Sequence, residues 1–293
     1  MNKIFFKYED DIINPCWDNV FKATFTRDTP ESRGALTFLL SAIIRRSLTV
    51  LSIIANEPPV ESVNERQIRY DINCKFDNGE LCNVEMTLNP DTFELLRLEY
   101  YSSKLFINQD IRGQDKSYSD LKNTYQIALL VNDPVIKDDV LVHHFKHYDE
   151  ENGITLGGRS HIITIELAKL ELIAQKAVAD MDAIERWAVF FRYTTDKEKR
   201  ELVNEIIKQE EGIAMAGQVL LNISKDEKER ARLTSEYKFA VDLQSKTVDA
   251  RRAEKKAIAQ NLLNMKMPLN KIAKATGLSI KEIEELKLEQ KVS

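Results

Sequence analysis

Glycine and proline are scarce in this chain, nine and seven among 293 residues, which argues against long flexible linkers. Three cysteines, Cys16, Cys74 and Cys82, form no C-x-x-C pair. Four histidines, three of them at His143, His144 and His147, offer no zinc spacing. Long hydrophobic runs are missing too. The most apolar stretch, 35–51, is broken by Arg45 and Arg46 and falls short of the roughly 20 residues that span a bilayer. No apolar block with a small-residue cleavage site follows the charged, aromatic start from Met1 to Asp11, so a cytoplasmic protein with no membrane partner is expected. Positive charge is not in excess either. A net charge of −5 and a pI near 5.6 speak against a protein that simply coats nucleic acid. An enzyme that meets DNA briefly, through metal ions, remains compatible with that charge.

What is present is the composition of a globular protein, 43% hydrophobic and 30% charged, long enough for one good core and a smaller second unit. Three zones differ in pattern. Residues 1–170 mix helical and alternating segments, which reads as α/β. Residues 171–256 contain no proline and only Gly212 and Gly217, with charges at helical spacing, so a helical extension is expected. Residues 257–293 read as a small helical tail. Within the first zone the pattern predicts a short helix from Asp18 to Phe25, a buried helix over 35–51, and a long helix over 91–108. Strands are expected at 67–76, 80–88, 124–131 and 162–167.

The chemistry concentrates on the expected hairpin 69–88. On its first strand Ile72, Cys74 and Phe76 share one face, while Asp71, Asn73 and Lys75 share the other. On the second, Cys82, Val84, Met86 and Leu88 oppose Asn83, Glu85 and Thr87. A two-residue Asn78-Gly79 turn would set Asp71 against Met86 and mix the faces. Odd-length loops keep them. One pairs Asp71 with Glu85; another pairs Asp71 with Thr87 and Asn73 with Glu85. The first places two carboxylates about 5 Å apart at Cβ, where they repel unless a proton or cation lies between them. A hard ion such as Mg²⁺ suits that position. The same alternation also describes a solvated sheet face whose acids are balanced by Lys75 and Arg69. Cys74 and Cys82 are expected as plain buried thiols.

These residues stand in an order that resembles a known pattern. Asp18-Asn19-Val20-Phe21-Lys22 is similar to a D-x-x-F-K opening. Asp71, the Gly79 turn and Val84-Glu85-Met86 follow, then Arg97-Leu98-Glu99-Tyr100-Tyr101-Ser102-Ser103-Lys104, similar to R-x-x-Y-Y-x-S-K. Gly113, Tyr118 and Ile165-Glu166-Leu167-Ala168-Lys169 complete the series. The ordered set resembles the PD-(D/E)XK nuclease family transposases, also called Rpn family recombination-promoting nucleases. The resemblance implies a restriction-endonuclease-like core, a mixed sheet flanked by helices, that cuts DNA with Mg²⁺ or Mn²⁺. Asp71 and Glu85 would be the metal ligands and Asp18 an accessory acid. Thr87 stands at the third motif position, where the family has Gln and the wider superfamily Lys, and threonine supplies neither the amide nor the cation. Arg97, Tyr101 and Lys104, at i, i+4 and i+7, share a helix face. Arg97 or Lys104 is expected to point at the acids and contact phosphate or replace the missing cation, with Tyr101 and Lys75 as further DNA-contact candidates. The competing reading is a solvated helix face with Tyr100 in the core.

In the helical zone, Trp187, Phe190 and Phe191 read as core, and 227–232 as a solvated face. A charged helix there could support a homodimer. In the tail, Leu269–Thr276, Gly277 and the segment from Ser279 have the look of a helix-turn-helix. The last helix carries Lys281, Glu282, Glu284, Glu285 and Lys287, a balance that favours a structural or docking unit over a DNA reader. The expected function is a metal-dependent DNA endonuclease; the rival is a catalytically inactive nuclease fold serving as a DNA- or protein-interaction module. No Ser or Cys stands in a nucleophile turn, which ranks nucleophilic hydrolysis far lower.

Overall fold

In the computed structural model, residues 5–54, 69–109, 111 and 116–292 are described. Gly113 and the first two residues of the strand expected at 67–76 lie outside them. The helices are α1 Asp18–Phe25, α2 Pro30–Ile44, α3 Glu94–Ile107, α4 Ala183–Tyr193, α5 Arg200–Gln209, α6 Glu211–Lys225, α7 Glu227–Asn264, α8 Leu269–Thr276 and α9 Ile280–Val292. The strands are β1 Val50–Ile53, β2 Ile72–Phe76, β3 Leu81–Thr87, β4 Thr124–Leu130, β5 Val142–Phe145, β6 Tyr148–Asp149, β7 Ile154–Thr155 and β8 Ser160–Glu166.

Six strands form a mixed sheet in the order β1-β2-β3-β4-β8-β5. β3, β4 and β8 run parallel at its centre, and antiparallel pairs lie on either side. All seven residues of β4 are buried, as a central parallel strand covered on both faces requires, with Thr124 and Gln126 the polar exceptions in an otherwise largely apolar run. One face of the sheet, with Cys82, Val84, Met86, Tyr125, Ile127, Leu129, Ile163 and Ile165, packs into the main core with residues of α1, α2 and α4–α6. α3, the crossover between parallel β3 and β4, covers the opposite face and buries Leu98 against Ala128 and Leu130. That second face is polar, with Asn83, Glu85, Gln126, Thr164 and Glu166 all buried. The solvated-face reading of the hairpin therefore fails: a helix lies over it.

The helix expected over 35–51 is displaced. α2 begins at Pro30, where Thr29 Oγ1 accepts from Ser32 N at 3.2 Å, and it ends where Arg45 turns left-handed at φ 59°. The residues beyond it form β1, an edge strand hidden inside that apolar run. β5 was also missed; its Val-His-His-Phe sequence lacks clean alternation. Trp187, Phe190 and Phe191 are core as expected, and Trp187 and Phe191 stack at 5.8 Å between ring centroids. The start of α7 is less solvated than its charges suggest, because Glu229 pairs with Arg27 and Arg230 with Asp11.

The chain divides into two compact units, Met1–Leu233 and Thr234–Ser293, and α4–α6 share the main core of the first. The second has its own small core of Ala259, Ile272, Leu278, Ile283 and Leu286. Among the described residues no helix is long and apolar enough to cross a membrane.

Candidate metal and nucleic-acid site

The β2–β3 register decides which acids meet. Ile72 lies opposite Val84, Asn73 opposite Asn83 and Cys74 opposite Cys82, so the next row sets Asp71 against Glu85. Phe76 N donates to Glu80 O at 2.9 Å around the three-residue loop 77–79, and Gly79 takes φ 85°, where a side chain would be strained. Of the two face-preserving registers, this is the one that joins the carboxylates.

Asp71 lies just before the first residue of β2. By the alternation of the ladder, Met86 N would next bond to Tyr70 O; it donates instead to Asp71 Oδ2 at 2.9 Å. Asp71 N in turn donates to Glu85 Oε1 at 3.3 Å. Glu85 is 4% exposed and also accepts from Asn83 Nδ2 at 2.7 Å. Burial, and then the charge of Asp71, raise the Glu85 carboxyl above the usual carboxylate range, against the pull of Asn83 and the positive charge of Arg97. Burial, and then the charge of Asp18, raise Asp71 as well, opposed by Lys22 and by the Met86 N–H.

Lys22 is the residue that sequence reasoning passed over. Its Nζ lies 2.8 Å from Asp18 Oδ1 and 3.0 Å from Asp71 Oδ1, so α1 delivers an ammonium between two acids. Burial disfavours that charge, but Asp71 and Asp18 outweigh it and raise the Lys22 pKa. The signal was present in sequence: Asp18 and Lys22 are four apart on one helix face. Only the packing of α1 against β3 could bring Asp71 to the same ammonium.

Thr87 does not reach toward the acids alone. It donates to Glu94 Oε1 at 3.1 Å and accepts from Arg97 Nη2 at 2.7 Å, while the same Arg97 nitrogen donates to Glu94 at 2.6 Å. Glu94, 3% exposed, is a further buried acid beside the hairpin, and no spacing in the chain singles it out. Arg97 thus faces the hairpin, close enough for its charge to act on Glu85, and its guanidinium carbon stands 5.7 Å from the Tyr101 ring centroid. Tyr101 packs edge-on against Tyr70 at 5.7 Å. Tyr100 is 41% exposed, so it is not the core residue of the competing helix reading. Lys104 is half-buried further along α3. Lys75 is exposed at the turn end of β2, opposite Leu81, and is not brought to the acids. Cys74 and Cys82 are free, buried thiols facing each other across the hairpin.

The donor set suits a hard divalent ion. Two carboxylates converge from adjacent strands, and buried Asn83 Oδ1 has no hydrogen-bond partner among the described residues; the Lys22 ammonium, 3.0 Å from Asp71 Oδ1, would share that carboxylate with the ion. No group of three or more His, Cys, Asp or Glu poised around one ion occurs among the described residues.

No curated protein and no solved structure matches the chain. A family model described as PD-(D/E)XK nuclease family transposase matches residues 15–250, which take in the whole sheet, α1–α6 and all the acids described above. Sheet order, flanking helices and this match agree, and the chain belongs to the PD-(D/E)XK nuclease family transposases.

Proposed function

We infer that the protein is a metal-dependent DNA endonuclease that hydrolyses phosphodiester bonds in the service of recombination or mobile elements, in the manner of the Rpn nucleases. One observation carries the reading: Asp71 and Glu85 pair across a buried hairpin face, and Lys22 links Asp71 to Asp18. Two acids held at raised proton affinity, Glu85 buried and Asp71 half-buried, are a cost to folding that a bound dication would relieve.

Asp71 and Glu85 would hold Mg²⁺ or Mn²⁺, which supplies positive charge to ease deprotonation of water and offset charge on the phosphate. Asn83 fixes the Glu85 carboxylate through its amide. Lys22, in direct contact with Asp71, takes the part that Thr87 cannot: its ammonium binds the scissile phosphate or orients water, while Asp18 holds it in place. Arg97 is braced by Thr87 and Glu94 and adds positive charge on the α3 side of the acids.

The test is nicking of supercoiled plasmid DNA with Mg²⁺ or Mn²⁺ by the parent, Asp71→Ala and Glu85→Ala. Cleavage by the parent that needs the ion and is lost in both variants supports the reading. Equal background in all three defeats it. The engagement of Thr87 by Arg97 and Glu94 favours one alternative, a fold kept for binding after its chemistry was lost; DNA binding without ion-dependent cleavage would then be the result.

A further inference from the structure

The second unit builds a helix-turn-helix with its own core. α8 and α9 are joined by three residues, Gly277, Leu278 and Ser279, the connection length of that motif. Each has a reason to be there. Gly277 caps α8 at φ 70°, donating its N–H to Ala273 O at 2.8 Å. Leu278 is buried against Ile272, Ile283 and Leu286. Ser279 and Glu282 form a reciprocal capping box: Ser279 N donates to Glu282 Oε2 at 2.9 Å, and Glu282 N donates to Ser279 Oγ at 3.3 Å.

That box changes the charge presented by α9. Glu282 also pairs with Arg252 of α7 at 2.7 Å, and these bonds hold its carboxyl well below the usual range, so it is spent inside the unit. Around it the sequence is basic. Residues 251–293 carry ten Lys and Arg against five Glu, in a chain whose net charge is −5. Lys271 and Lys274 lie one turn apart on the exposed face of α8, and the first turn of α9 exposes Ile280 and Lys281.

From this arrangement we propose that the C-terminal unit is a second nucleic-acid site, which docks on double-stranded DNA independently of metal at the acid site. In such a motif the first helix crosses the phosphate backbone and the N-terminal residues of the second enter the major groove. Lys271 and Lys274 neutralise phosphates; Lys281 faces acceptors such as guanine O6 and N7, and Ile280 faces a thymine methyl. Glu284 and Glu285, exposed one turn later, can accept from cytosine N4 but repel phosphate, which limits affinity away from preferred sequences.

The experiment is fluorescence anisotropy of a labelled duplex with the full chain in EDTA, across a salt series. Three proteins are compared: the parent, Lys271→Glu/Lys274→Glu, and Lys271→Arg/Lys274→Arg. The charge-reversed variant should lose at least about tenfold in affinity, and the slope of log affinity against log salt should fall by about 2; the arginine variant should bind within about twofold of the parent. A parent that binds no duplex in EDTA, loss in both variants, or loss in neither overturns the proposal. Because no metal is present, the outcome is separate from the plasmid-nicking result, and either can fail alone.

Discussion

Glu85→Gln should stabilise the ion-free protein, although it removes a residue proposed for the chemistry. The amide keeps the shape of the side chain and the acceptor for Asn83 Nδ2 and Asp71 N, and deletes only the buried charge. In the folded chain Glu85 holds its proton more tightly than in the unfolded chain, for burial and Asp71 disfavour its ionised form. A raised carboxyl pKa costs stability above the ordinary carboxylate range and costs nothing below it. An incompletely compensated buried charge is worth on the order of 2 kcal/mol. For a unit of this size that corresponds to a melting temperature higher by about 4–8 °C at neutral pH in EDTA. The gain should widen from about pH 5 to about pH 8 and vanish toward about pH 4. Adding Mg²⁺ reverses the order: at a hundred times its dissociation constant it contributes about 2.7 kcal/mol to the parent and little to the variant. Differential scanning fluorimetry in EDTA and in Mg²⁺, over that pH range, reads both effects. A variant that melts lower than the parent in EDTA at neutral pH, or a difference independent of pH, would refute the reasoning.

Lys22→Met should abolish nicking, by at least about 100-fold, while Lys22→Arg retains part of it, since removing one preorganised electrostatic group costs about that much; equal rates in a single-turnover plasmid assay would rule Lys22 out. Arg97→Met leaves Glu94 buried without its guanidinium and should cost about 3–5 kcal/mol in urea unfolding, with Arg97→Met/Glu94→Gln recovering much of the loss. If the double variant is as unstable as the single, the Arg97–Glu94 pair is not what holds α3 to the hairpin. Trp187→Ala, in the aromatic cluster with Phe25, Phe190 and Phe191, should cost about 3–5 kcal/mol by the same measurement; a loss below about 1 kcal/mol would mean that this cluster does not hold α4 to the core.

Local pattern and face matching were legible in the chain itself. Alternation on 71–76 and 82–88 separates the polar from the apolar residues, and it admits only those loops that keep the faces together, because a one-residue slip inverts every side chain. Family order then singled out Asp18, Asp71 and Glu85. The same periodicity could not show β1, since Val50–Ile53 continues an apolar run and a short run suits helix or strand equally. It also could not say whether the polar face is wet. Nothing between residues 71 and 88 announces that α3 will lie across Asn83, Glu85 and Gln126 and turn them into a buried network.

What the sequence determined by itself is therefore the pattern: which strands exist in the hairpin, which residues share a face, and the two registers that keep those faces together; the structure chose the one that opposes Asp71 and Glu85. Tertiary structure alone decided the electrostatics. Lys22 and Asp71 are 49 residues apart, and Arg97 reaches Glu85 only through the crossover that α3 makes between β3 and β4. Charge interactions depend on distance and on exclusion of water, and both are set by how helices pack on the sheet, which no local spacing encodes.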